Sequence, residues 1–256
     1  MASIDTLIVN YRTPELTAAA ARSVLSEPET HEVVIIDNAS GDGSAEHLQR
    51  ELVGERVRVL ALDQNLGFGA GNNAGAATSE ADYLFFLNSD AALRVGGLGS
   101  LLRTLNEPNV GIVAPRVCTL DGQEQLDSYG VFPTPRDLLL RRRRQPENPL
   151  APPWVSGVAF LTRRRDFETV GGFDEGYFMY LEDVDLCFRY RAAGLGVLRV
   201  PEAEVTHIGG GSRHSSREQK SQYDRSQDRF LRKAGFSPLS RRLVRFARAL
   251  YRLLRP

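Results

Sequence analysis

Apolar and polar positions in this chain fall into blocks rather than alternating residue by residue. "IDTLIV" (4 to 9), "EVVIID" (32 to 37), "VRVLAL" (57 to 62) and "DYLFFL" (82 to 87) are apolar runs of strand length. Such runs suit strands covered on both faces. Segments of helical or turn character lie between them. "TPELTAAAARSVLSE" opens a helix with Thr13 as N-cap and Pro14 at the first helical position. Strands alternating with helices predict a layered α/β fold with a mostly parallel central sheet. A helix near 96 to 107 and a strand at "VGIVAP" continue the pattern. From about Cys118 to Pro153 it loosens, and "RRRRQPENPLAPP" reads as a mobile, lid-like loop. A helix returns at "LEDVDLCFRYRAAG", and a last strand "GVLRVP" leads to His207. "GGGSRHSSREQKSQ" then reads as flexible, before a helical C-terminus.

The strands stop abruptly at polar residues: "NYR" (10 to 12), "DNASGDGS" (37 to 44) and "NSDA" (88 to 91). In open α/β sheets the C-terminal strand edge is where ligands bind, so these side chains are expected to converge there. "NLGFGAGNNAG" (65 to 75) follows the third strand and opens a helix. Its glycines would let backbone approach a ligand, and a helix N-terminus favours anionic groups. Taken alone, a plain turn explains that stretch as well.

The 256 residues suffice for one large domain or a domain with an extension. No apolar run approaches the roughly 20 residues of a spanning helix. The N-terminus lacks a basic segment followed by a signal-type apolar stretch, so a cytoplasmic location is expected. Cys118 and Cys187 are the two cysteines, which argues against a disulfide framework and a Cys-based zinc site. The zero net charge hides an asymmetry. From His207 onward there are 13 Lys and Arg against 3 Asp and Glu, a net of +10 balanced by −10 over residues 1 to 206. A basic tail suits an anionic partner. The expected division is one globular domain over 1–212 and a basic helical extension over 213–256.

Taken in order, "VNYR", "DNAS", "NLGFGAGNN", "NSDA", "GGFDEGYFMYLEDVDLCFR" and "THIGGGS" resemble the inverting family 2 glycosyltransferases of GT-A fold, particularly the bacterial rhamnosyltransferase-like branch. The resemblance implies a nucleotide-sugar donor, a divalent metal (Mn²⁺ or Mg²⁺) on its diphosphate and a single displacement at the anomeric carbon. It places Val9, Asn10, Tyr11, Asp37, Asn38, Asn65, Gly67, Gly71, Asn72, Asn88, Ser89 and Asp90 around the donor. Asp90 is implied as a metal ligand, since hard cations take oxygen ligands. Asn88 stands where the commoner Asp-x-Asp pattern has its first acid. Asp37 and Asn38 match the base-recognition turn, which leaves the nucleotide open between UDP, dTDP and GDP. Asp183, with Glu182 next, is implied as the base that takes the acceptor hydroxyl's proton. Asp185 can pair with Arg189 one turn later. Trp154, Ser156, Gly157, Gly172 and Phe173 are implied around the donor and acceptor pocket, and Phe178 and Tyr180 offer further flat surface. His207 is implied as a second metal ligand, with the glycines after it closing over the donor.

The last helix is amphipathic: Leu243, Ala247, Leu250 and Leu254 share one face, and Arg241, Arg245, Arg248 and Arg252 lie opposite. It can pack on the domain, pair with a second subunit or lie on an anionic membrane, where Arg141 to Arg144 would add charge. The implied acceptor is a glycan or a polyprenyl-diphosphate-linked sugar, with dTDP- or UDP-linked donors. A nucleotidyltransferase is the competing enzyme, disfavoured because no Lys precedes Lys220. A nucleotide-sugar-binding protein without turnover would need no Asp183. Nucleic acid is not expected, because no base-stacking aromatics are interleaved with the basic tail.

Overall fold

A computed structural model describes residues 2–140, 142, 144–209 and 217–254. In chain order the elements are β1 (Ile4–Asn10), α1 (Pro14–Leu25), β2 (Thr30–Asp37), α2 (Ser44–Glu51), β3 (Val57–Ala61), α3 (Phe68–Ala76), β4 (Tyr83–Leu87), β5 (Ala91–Leu93), α4 (Gly97–Leu105) and β6 (Val110–Cys118). There follow β7 (Tyr129–Gly130), α5 (Pro135–Leu139), β8 (Trp154–Val155), β9 (Ala159–Arg163), α6 (Arg164–Thr169), α7 (Glu182–Ala192), β10 (Gly196–His207), α8 (Arg217–Lys233) and α9 (Pro238–Leu254). Eight strands form one sheet in the order β3-β2-β1-β4-β9-β6-β10-β5. β1, β2, β3 and β4 run parallel, as do β6 and β10, whereas β9 is antiparallel to both neighbours and β5 is antiparallel to β10.

Burial on both faces explains the continuous apolar runs. Phe85 and Leu87 join one core with α1, α2 and α4, while Leu84 and Phe86 join the opposite core with α7 and Phe173. The predicted strands and helices before residue 118 are present with small shifts at their ends. The apolar pattern does not predict the short elements β5, β9 and α6. β9 supplies the sheet's central pairing, yet in sequence it is five residues, the last of them the first of three consecutive arginines. The stretch from 118 to 153 is also more ordered than a lid. Thr134 caps α5 in a reciprocal capping box with Asp137, and β7 pairs with β8.

α8, which falls in the expected extension beyond residue 212, packs on the elements before it. Phe230 is completely buried against Tyr177 and Val184. Arg229 and Lys233 hold Asp174, and Lys233 also reaches Asp185 on α7. Asp185 does pair with Arg189 at 2.8 Å, as its spacing suggests. The segment expected to be flexible is therefore helical from Arg217 onward. The glycines at 210 and 211, with Arg141 and Arg143 of the arginine run, lie outside the described residues.

Candidate active site

At the end of β4, the chain passes through Asn88, Ser89 and Asp90 into β5, whose antiparallel register sets Ala91 opposite His207. This brings two residues 117 positions apart in the chain into contact. His207 Nε2 lies 3.2 Å from Asp90 Oδ1, and the Ile208 N–H donates to the Asp90 carbonyl. Burial works to raise the Asp90 pKa, but the His207 hydrogen bond and charge and two backbone N–H groups outweigh it and hold the carboxyl below its ordinary range. Gln125, which no sequence motif singles out, fixes the imidazole. Its Oε1 faces His207 Nδ1 at 3.0 Å and its Nε2 donates to the His207 carbonyl. The turn after β6 that carries Gln125 has no sequence signal tying it to His207. Among the described residues no group of three or more His, Cys, Asp or Glu side chains gathers around a common point.

The strand-end residues nearer the N-terminus bond to one another and to the turns that follow. Asn10 is fully buried: its Nδ2 donates to Asp37 and Ser40, and its Oδ1 accepts from Thr13 and Thr17. Asp37 accepts from Asn10, the Ser40 hydroxyl and the Ser40 N–H. Asn38 donates to Asn65 Oδ1 and the Gly67 carbonyl and accepts from the Leu66 N–H. Both Asn10 and Asn38 thus fix the turns at the edge where the resemblance implies the donor. Val9 is half-buried, Tyr11 is exposed at the same edge, and the Ser89 hydroxyl accepts from Thr13.

The glycine-rich stretch packs closely on its surroundings. Gly67 sits at φ +84, and a Cβ there would fall 2.0 Å from the Phe178 carbonyl oxygen. Gly71 lies against Val9, so α3 can settle closely on the sheet. Asn72 is buried and donates to the Phe68 carbonyl. Gly172 lies against Asn73 and Phe167. Phe173 is buried among Phe86, Phe160 and Phe167, and Asn73 fixes its backbone with two hydrogen bonds.

The segment docked on Gly67 leads into α7 through two consecutive non-glycine residues of positive φ, Tyr180 (71°) and Leu181 (67°). Such conformations cost on the order of 1–3 kcal/mol each and persist only when surroundings enforce them. They aim Glu182 and Asp183 at a cavity of about 340 Å³. Its wall includes Phe132, Leu138, Trp154, Ser156, Tyr180 and Tyr223, with Arg142 and Arg144 also on it. Trp154 is held by its Nε1–H donating to the Val131 carbonyl. Asp183 Oδ2 accepts from the Gly157 N–H and Oδ1 from the Val184 N–H. Glu182 Oε2 and Ser156 Oγ are buried with no hydrogen-bond partner among the described residues.

Burial raises the pKa of both carboxyls, and for Glu182 the neighbouring Asp183 charge adds to the rise. Asp183, with two N–H donors, is the easier to ionise, so Glu182 keeps the proton. Glu182→Gln copies that protonated form. A raised folded-state pKa means stability that is present at low pH and lost as pH rises through the folded value. The variant should therefore keep most transfer at neutral pH and lose less thermal stability than the parent as pH rises from about 4.5 to about 8. Thermal unfolding across that range checks it, and an identical decline in parent and variant refutes this protonation order.

Residues 5–171 match the family model described as glycosyl transferase family 2, about two thirds of the chain. The chain belongs to that family. Residues 146–210, from before Trp154 to beyond His207, also match a model described as the N-terminal domain of galactosyltransferase. An N-acetylglucosaminyl-diphospho-decaprenol L-rhamnosyltransferase of Mycobacterium tuberculosis is 31% identical over 229 residues, covering 76% of this chain and 72% of that protein. A pre-mycofactocin glycosyltransferase of the same organism is 33% identical over 198 residues, 74% of this chain but 40% of that one. Among solved structures, a mannosyltransferase of Pyrobaculum calidifontis in complex with GDP-Man and Mn²⁺ superposes with a TM-score of 0.66. The match covers 96% of this chain and 68% of that one; at 15% identity it shows the GT-A fold alone. This family 2 enzyme is a glycosyltransferase of rhamnosyltransferase-like type. Among its described residues no helix is long and apolar enough to cross a membrane.

Proposed function

We propose that this enzyme transfers a sugar, rhamnose or a related hexose, from a dTDP- or UDP-linked donor to a glycan or polyprenyl-diphosphate-linked acceptor, with inversion and with a divalent cation. The observation that carries this reading is the Glu182–Asp183 pair on the cavity wall. An inverting displacement needs one carboxylate to take the acceptor hydroxyl's proton as that oxygen attacks. Asp183 suits that role, because two backbone N–H groups orient it and burial raises its basicity. Trp154 and Tyr180 give the acceptor sugar flat surfaces, and the unpartnered Ser156 Oγ and Glu182 Oε2 can meet its hydroxyls. Arg142 and Arg144 offer positive charge to an acceptor diphosphate, and Phe132 and Leu138 offer apolar surface to the lipid beyond it. The name of the mycobacterial relative supports that acceptor class.

Asp90 and His207 fit a divalent cation. They present a carboxylate oxygen and an imidazole nitrogen side by side, and Gln125 occupies the other ring nitrogen, leaving Nε2 as the donor atom. A cation held there would neutralise charge developing on the departing diphosphate. Two protein ligands leave the remaining coordination to the donor and water. Asp90→Ala should abolish the extra thermal stabilisation that Mn²⁺ adds to a bound nucleotide sugar, and His207→Ala should reduce it less, because water can replace one ligand. Unchanged Mn²⁺ dependence in Asp90→Ala removes the metal assignment, and a product with retained anomeric configuration by NMR removes the single displacement.

A further inference from the structure

An amphipathic helix normally buries its apolar stripe and turns its charges outward. α9 does the reverse. Arg241 and Arg248 face the protein and pair with Asp228 and Asp224 of α8, with Val244 buried between them. Leu239, Leu243 and Phe246, spaced four and three residues apart, stand outward at 68%, 50% and 69% exposure. Arg242 and Arg245 are exposed beside this stripe. The sequence divides the helix into these two faces but does not say which one meets the protein. The acidic residues of α8 decide it, by offering partners to the arginines.

We propose that the outward face of α9 is a docking surface for an anionic lipid membrane. Leu239, Leu243 and Phe246 would enter the boundary between headgroups and acyl chains, while Arg242 and Arg245 meet lipid phosphates. Charge supports a lipid occupant, because the face lies in the +10 segment of an otherwise acidic chain. So does position: α9 packs on α5, whose Asp137 and Leu138 line the cavity beside Asp183. A membrane seated on α9 would lie next to that cavity wall. A second copy of the chain is the weaker occupant, since the three apolar side chains of this face among the described residues fall well short of the roughly 800 Å² per partner of a standard interface.

The test is co-sedimentation of the full chain with phosphatidylcholine vesicles, with and without phosphatidylglycerol, at low and high salt. The protein should pellet with the anionic vesicles at low salt, and high salt should release it. The double variant Leu243→Glu/Phe246→Glu should lose about tenfold or more of that binding, as should Arg242→Glu/Arg245→Glu. Because all four side chains are exposed, the thermal midpoint and donor hydrolysis should stay at parental values. Failure of the parent to pellet at low salt overturns the proposal, as does parental binding in both variants. A parental dimer that the Leu243→Glu/Phe246→Glu variant dissociates, with no vesicle binding by the parent, assigns the face to a second copy instead.

Discussion

Asp183→Asn should lower sugar transfer by about two orders of magnitude or more while donor affinity stays near the parental value. The amide keeps the shape of the carboxylate and can still face the Gly157 N–H, so α7 and its approach should stay in place. Under the proposed mechanism the variant lacks the group that would accept the acceptor's proton, at a site where burial raises that group's basicity. Steady-state transfer together with a nucleotide-sugar titration separates the effects. Loss of donor affinity equal to the loss of rate would place Asp183 in the donor site. Retained transfer would move the base to Glu182, whose unpartnered Oε2 also lies at the cavity.

Gly67→Ala should cost more than about 3 kcal/mol of stability. The backbone at φ 84°, ψ 178° belongs to a region held almost exclusively by glycine. The new methyl would also meet a backbone carbonyl, that of Phe178, which cannot swing aside as a side-chain end could. For a chain of this size the expected fall in Tm is roughly 6–12 °C. Activity should fall further than stability alone explains, because Phe178 leads directly into the strained Tyr180 and Leu181 that aim Glu182 and Asp183. A Tm within about 2 °C of the parent would show that the loop yields easily.

The fold is legible in the sequence wherever burial on both sides of the sheet imposes an unbroken apolar run, as at Val33–Ile36 and Leu84–Leu87. It is illegible where pairing is purely non-local. Nothing within Ala159–Arg163 says that it lies between β4 and β6. The Asp90–His207 contact follows from a family resemblance rather than from spacing, since a β5–β10 register creates it. The capping signal "TPRD" is present and suffices to reveal α5. Asn10 and Asn38 show what a strand-end pattern leaves out. Polar side chains gather at that edge, but whether each faces a ligand or a neighbouring turn depends on hydrogen bonds made across the sheet.

The place of β9 sets an order of assembly. β1, β2, β3 and β4 can pair as soon as residue 87 is available, because their parallel units are contiguous in the chain. Their union with β6, β10 and β5 must wait until residues 159 to 163 arrive to join β4 to β6. In that interval the edge of "YLFFL" is an unpaired template of apolar residues. A nascent or truncated chain ending before residue 159 would therefore be more prone to aggregate than the whole protein.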